Sequence, residues 1–364
     1  MNRRKFTRNL TFGVLGIQTV HAFSCESLLF KPSKIPLGLC NHALKTMKLN
    51  GKQLLQYAID NKFDSVLFNS ISIFKSLEAS YLAEIKTLSD KNNITLFIGV
   101  GSISEKSKIF KGTYESPKES LLEGIRVAKL LGSPTVSCMI GSTNDRFTEG
   151  GIRPHMESVI KVMQSVRKEV LEAGVKIAFE NHAGDLRNDE VIEVITRTGV
   201  DIVGILFDPA NAVWALEDPM ESLDVFKDYI VCTSIRDVEI WKTDTGAAYQ
   251  CKAVGEGMLD FKKYAKIISK SCPGLPLHIE TISNRTTDLP FETSDFMKGF
   301  PELSQKDLEK FIKCASQGEF QGVLEPKNND RASKKAFNIK LEQQELQKSI
   351  DYLRKNCNVG LKPL

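Results

Sequence analysis

From Ile35 onward, short apolar runs alternate with longer stretches whose apolar positions recur every three to four residues. The runs 35–40, 65–68, 95–100, 135–140, 175–180, 202–208, 229–235 and 277–281 read as strands buried on both faces. Between them, 51–61, 80–91, 117–131, 153–173, 189–198 and 261–271 carry the amphipathic period of helices. Gly132, Gly174 and Gly199 stand where three of these helices would stop in a left-handed residue. Eight consecutive strand–helix units with no second domain left over predict an α/β fold, a (β/α)8 barrel over residues 35–364. An open doubly wound sheet would place a glycine-rich turn after its first strand, and Gly38-Leu39-Cys40-Asn41 is not one.

Two segments break the alternation. Past the eighth strand, 284–301 is aperiodic and carries Phe291, Phe296 and Phe300, an aromatic loop expected to fold over the barrel mouth. Ser304 with Asp307 three residues on starts a helix running to Gln317-Gly318. A charged loop at 327–335 then leads to a last helix near 341–356, striped by Leu346, Ile350 and Leu353. These helices form a C-terminal extension that completes the outer ring. At the other end, residues 1–24 read as a twin-arginine-type export signal: Arg3-Arg4-Lys5 precedes the moderately apolar run 10–23, with Ala22 and Ser24 at cleavage spacing. Residues 25–34 form a linker, and Cys25 offers a lipid attachment point. The expectation is an exported bacterial protein, periplasmic or anchored to the membrane as a lipoprotein.

Composition narrows the partners. With 41% hydrophobic and 26% charged residues the chain has the balance of a soluble globular protein. Arg3, Arg4, Lys5 and Arg8 account for the whole formal net charge of +4, so the body is neutral. A neutral body has no long-range pull on phosphate backbones, and nucleic acid is not an expected partner. The eight cysteines form no CxxC pair, which argues against a thiolate zinc site.

In a barrel, chemistry gathers at the C-terminal ends of strands. Three strands here end in an acid: Glu180, Asp208 and Glu280. Each taken alone reads as half of a salt bridge, and Asp208, followed by Pro209, also reads as a helix N-cap. Together at one mouth they would repel by several kcal/mol at an effective dielectric near ~20. A divalent cation removes that cost, and the oxygen-rich set suits Mn2+, Mg2+ or Co2+, with Zn2+ the remaining choice.

The segments Phe179-Glu180-Asn181-His182-Ala183-Gly184, Phe207-Asp208-Pro209-Ala210-Asn211, Gly255-Glu256-Gly257-Met258-Leu259-Asp260-Phe261 and His278-Ile279-Glu280, in that order, resemble the xylose isomerase-like TIM barrel superfamily of sugar phosphate isomerases and epimerases. The resemblance covers roughly residues 35 to 283. It implies a metal held by Glu, Asp, His and Glu of strands five to eight, of which Glu180, Asp208 and Glu280 match. The third ligand departs: the superfamily's His-x-Lys-Asp is Ser234-Ile235-Arg236-Asp237 here, and Asp237 or water would have to complete the shell.

With metal bound, the resemblance implies an isomerase or epimerase working through an enediolate, Glu180 and Glu280 sharing the acid/base work. The substrate would be a small carbohydrate contacted by His182, Asn211, Arg236 and Glu256. Oligomerisation is compatible with this reading. Two other readings stand beside it: a lyase, hydrolase or decarboxylase acting on an oxidised keto sugar or glycoside, and a non-catalytic sugar-binding barrel whose metal site has decayed. An apurinic-site endonuclease of the same superfamily is disfavoured. Its trinuclear zinc site needs several histidines, and one of the five here, His21, belongs to the export segment.

Overall fold

The computed structural model describes residues 34–282 and 284–363. The export signal, Cys25 and nearly all of the expected linker lie outside the described residues. Eight parallel strands form the barrel: β1 (Leu37–Cys40), β2 (Ser65–Phe68), β3 (Thr95–Ser102), β4 (Thr135–Met139), β5 (Lys176–Glu180), β6 (Val203–Phe207), β7 (Ile230–Thr233) and, after an inserted hairpin of β8 (Asp237–Thr243) and β9 (Gly246–Lys252), β10 (Leu277–Ile279). Hydrogen bonding runs in the order β10-β1-β2-β3-β4-β5-β6-β7. Just past β7 the ring closes at a parallel bridge between Ile235 and Ile279, where Ile235 N–H donates to His278 O at 2.7 Å and Glu280 N–H to Ile235 O at 2.8 Å.

The outer layer holds α1 (Gly51–Asp60), α2 (Ala79–Lys91), α3 (Pro117–Leu131), α4 (Arg153–Ser165), α5 (Arg167–Ala173), α6 (Asn188–Thr198), α7 (Pro209–Trp214), α8 (Pro219–Phe226) and α9 (Phe261–Ser271). Most begin at a side-chain cap: Asn50 closes a capping box with Gln53 before α1, and Ser116 caps α3 ahead of Pro117. Gly132 and Gly174 end α3 and α5 in the left-handed region, as expected. Gly199 ends α6 in a more extended conformation, φ 116° and ψ 115°. The single helix expected at 153–173 is interrupted at Val166 (φ −111°, ψ 14°).

Three further segments complete the fold. Residues 237–252 form a β-hairpin extended by β11 (Thr286–Leu289) into a small antiparallel sheet, β11-β9-β8. Residues 237–240 of β8 and 246–251 of β9 are buried on both faces, which hides the period-two signal of a half-exposed strand. Gly246 turns the hairpin at φ 147°, where an added β-carbon would meet the carbonyl of Leu289 at 2.5 Å. The aromatic segment, with α10 (Ser294–Met297), packs against the loop after β4 and against α11 (Gln305–Ala315): Phe291 meets Phe311, Phe296 meets Phe147, and Phe300 lies under the Arg146 guanidinium, 4.4 Å from the ring centre. The last helix, α12 (Arg331–Asn356), starts ten residues early because Asp330 caps it through the amides of Ala332 and Ser333.

Two cores result. A large one fills the space between barrel and helices. A separate cluster, Cys40, Leu67, Phe97, Ala178, Leu206 and Cys232, fills the interior of the barrel. His278 shares that interior: its ring lies 2.8 Å from Ser65 Oγ and 2.9 Å from the Thr233 carbonyl and meets Phe97 edge-on. Gly38 on the adjoining strand leaves the room, since a β-carbon there would strike the His278 ring.

Burial drives the pKa of His278 down to about 3, so the fold keeps this imidazole neutral. The unfolded chain protonates it below about 6.5, so its contribution is complete above that pH and is lost as pH falls toward 3. The gap in unfolding free energy between wild type and His278→Asn is expected to shrink by about 2 kcal/mol between pH 7.5 and pH 5.0. Urea denaturation at the two pH values checks this, and an unchanged gap would refute it.

Candidate active site

Alternation along the strands decides which side chains enter the mouth. Ala178, Leu206, Cys232 and His278 point into the barrel, so the residues two places on, Glu180, Asp208, Ser234 and Glu280, do so one layer higher, at the C-terminal rim. All four are buried. Asp208 also caps α7, accepting from Ala210 N–H at 2.9 Å, while the Asn181 amide clasps the main-chain N–H and C=O of Asp208 at 2.9 Å each. Its position is fixed from both sides.

Arg236 returns into this rim from just past the closing bridge and is 5% exposed. Its Nη2 lies 2.5 Å from Asp208 Oδ2 and donates to Asn211 Oδ1 at 2.8 Å, and its Nη1 is 3.5 Å from Glu280 Oε1. Asn211, on the first turn of α7, passes the contact on by donating from Nδ2 to Glu180 Oε1 at 3.3 Å. Glu280 is the most heavily engaged acid. The Ser234 hydroxyl donates to its Oε2, Cys40 Sγ lies 3.5 Å from the same oxygen, and His42 Nδ1 lies 3.0 Å from Oε1 and 2.9 Å from Asn69 Nδ2.

These environments drive the two glutamates apart. Burial raises the Glu180 pKa well above the usual carboxylate range, and the charges of Glu280 and Asp208 push it further. Burial acts on Glu280 in the same direction, but His42, Arg236 and Ser234 outweigh it and hold this carboxyl below its ordinary value. Asp208 is lifted to about 7 by burial against the pull of Arg236. His182, whose Nδ1 meets the Gly141 carbonyl, is lowered by burial and stays a neutral imidazole.

A cleft of about 430 Å³ opens beside the carboxylates, with His42, Asn69, Phe110, Tyr114, Met139 and His182 among its walls. That size lies within the usual range for small-molecule sites. The structure therefore brings together Glu180, Asp208, Glu280, Asn211 and Arg236, with His182 on the adjoining wall. Two sequence candidates fall elsewhere. Asp237 spends both oxygens on main-chain amides, from Val238 (2.9 Å) and Leu259 (3.0 Å) at Oδ1 and from Gly255 (2.9 Å) at Oδ2, pinning the loop before α9. Glu256 is exposed and pairs at 2.8 Å with Lys348 of α12. Sequence reading missed His42, Asn69 and the 100–114 wall, although His42 follows the end of β1 by two residues just as His182 follows the end of β5.

The expected metal shell does not fit this arrangement. Arg236 lies against both Asp208 and Glu280, each Glu280 oxygen already has donors, and Ser234 stands in the place of the histidine. Among the described residues, no group of three or more His, Cys, Asp or Glu side chains is disposed to hold a metal ion.

Comparison with known proteins places this geometry in context. Residues 55–313 match the family model of the xylose isomerase-like TIM barrel. The uncharacterized protein YihM of Escherichia coli (strain K12) is 26% identical over 150 residues, 41% of this chain and 44% of that protein. The 3-oxo-isoapionate decarboxylase of Pectobacterium atrosepticum is 23% identical over 117 residues, 32% of this chain and 42% of that protein. The chain thus spans less than half the length of these curated relatives. A crystal structure of D-psicose 3-epimerase in the presence of D-fructose superposes with a TM-score of 0.58 at 10% identity, covering 89% of this chain and 100% of that one.

Removing the guanidinium should cost more than its own contacts, because it strands buried charge. Arg236→Gln is expected to lose about 3–5 kcal/mol of stability at pH 8. The loss should shrink at pH 6: without Arg236 the buried acids titrate higher in the fold than in the unfolded chain, so the native state gains protons, and stability, as pH falls. Denaturant unfolding at both pH values tests this. A loss independent of pH would mean that the arginine acts by packing alone.

Proposed function

The chain belongs to the xylose isomerase-like TIM barrel family, and from that premise we propose that it modifies a carbohydrate by moving a proton on the carbon beside a carbonyl, as an isomerase or epimerase. The observation that carries this reading is the pair of buried glutamates at one rim, held in opposite protonation tendencies by their surroundings. Such a pair is the signature of divided acid/base roles. Glu180, whose burial beside two other acids raises its affinity for a proton, takes the proton from carbon and returns it. Glu280, held ionised, holds His42 and Arg236 at the rim, where the fixed positive charge of the guanidinium lies close to the substrate oxygens on which negative charge develops.

The adjoining cleft seats the sugar, with Phe110 and Tyr114 offering flat apolar faces to ring C–H groups and Asn69 and His182 offering polar contacts. D-psicose 3-epimerase shares the fold and acts on a free ketose by its name, which supports an unphosphorylated substrate. So does the cleft wall, where Lys111 is the one lysine or arginine among the described lining residues.

The decarboxylase relative favours a second reading, cleavage of an oxidised sugar from the same charge-stabilised intermediate. Incubation of the protein with free ketoses and 3-keto-glycosides in deuterated water, followed by NMR, separates the two. Deuterium entering at carbon with the skeleton intact supports the isomerase; release of carbon dioxide or an aglycone supports cleavage. Neither result over the whole panel sinks both. Glu180→Gln is expected to lower the exchange rate at least ~10²-fold with the fold intact. Tyr114→Ala is expected to raise KM several-fold with little change in kcat, the mark of a contact made equally in ground and transition states.

A further inference from the structure

The position of Arg236 against the acids has a meaning beyond charge balance. We infer that Arg236 is the built-in cation of this barrel, standing where members of the family with a complete ligand set would carry a divalent metal, so that the mouth works without an exchangeable ion. The first support is spatial. An ion bridging Asp208 and Glu280 must lie about 2 Å from an oxygen of each. Arg236 Nη2 is already 2.5 Å from Asp208 Oδ2 and Nη1 3.5 Å from Glu280 Oε1, so guanidinium and ion exclude one another.

The second support is the donor set. Just past strand seven the Ser234 hydroxyl donates to Glu280 Oε2, and with Cys40 Sγ 3.5 Å from the same oxygen both of its lone-pair directions are faced by hydrogen-bond donors. Glu280 takes its other donors from Cys40, His42 and Arg236, a pattern built for a carboxylate that accepts hydrogen bonds. The third is chemical. A guanidinium is charged at every accessible pH, and its planar fork can bridge two oxygens. Arg236 Nε is buried without a hydrogen-bond partner among the described residues, which leaves one donor of that fork unspent.

This inference does not depend on the reaction proposed above, since its readouts are metal content and stability. The purified full-length chain would be dialysed against MnCl2 and its bound Mn2+ measured by electron paramagnetic resonance and elemental analysis. Wild type is expected to retain far less than one Mn2+ per chain, with a Tm unmoved by the ion. Retention of about one Mn2+ per wild-type chain overturns the inference. The reciprocal experiment restores the family pattern with Ser234→His and Arg236→Lys together. That variant should bind Mn2+ at least ~10-fold more tightly than wild type, its Tm rising with the ion. Should it not fold by circular dichroism, Arg236→Gln is assayed in its place, where loss of the charge alone frees both carboxylates. A folded variant that binds no better than wild type also overturns the inference, because the arginine would then not be what excludes the ion.

Discussion

Three carboxylates at one end of a barrel cannot share a dry rim unless positive charge stands among them. That requirement organises the functional end of the molecule. Asp208 has no hydrogen-bond donor at Oδ2 and relies on the nearby Arg236 guanidinium, which also touches Glu280 and, through Asn211, reaches Glu180. The compensation is unequal. Among the described residues, Arg236 and its neighbours surround Glu280 with donors and leave Glu180 one long hydrogen bond, from Asn211, so the first acid is biased toward its anion and the second toward holding a proton. The asymmetry that suits the site to proton transfer therefore follows from where one cation can sit.

The barrel supplies the geometry for this. Strand alternation lifts four residues into one layer, and the small residues beneath them, Gly38 and Ala178 among others, leave space for the His278 and Phe97 rings in the interior. Closure at Ile235–Ile279 matters most for the site, because the same two hydrogen bonds that complete the ring set the height of Ser234 and Glu280 relative to one another. The inserted antiparallel sheet extends from this closure. It begins at Asp237, whose carboxylate gathers the amides of the following loop, and so it carries Arg236 on a rigid stem.

Much of the fold was legible along the chain because a parallel barrel strand is an apolar run of fixed length, and all eight candidates fall on observed strands within a few residues. The inserted sheet was not legible. Much of 237–252 is polar in composition, yet 237–240 and 246–251 are buried on both faces, against α11 and β11, partners that no local pattern reveals. The same cause misled the reading of Asp237, a charged residue beside a motif that turns out to be a backbone clamp. Glu256 belonged to a recognisable segment, but its partner, Lys348, lies ninety-two residues away on the last helix.

By itself the sequence determined that the barrel has eight strands, that three of them end in an acid, and that the third metal ligand of the family pattern is replaced by Ser234 with Arg236 two residues on. These are local facts, set by hydrophobic period and residue identity. Tertiary structure alone decided what neutralises those acids. Whether a guanidinium or a metal ion sits among them depends on the distance between a side chain leaving β7 and carboxylates delivered by β6 and β10, and such a distance exists only once the ring has closed.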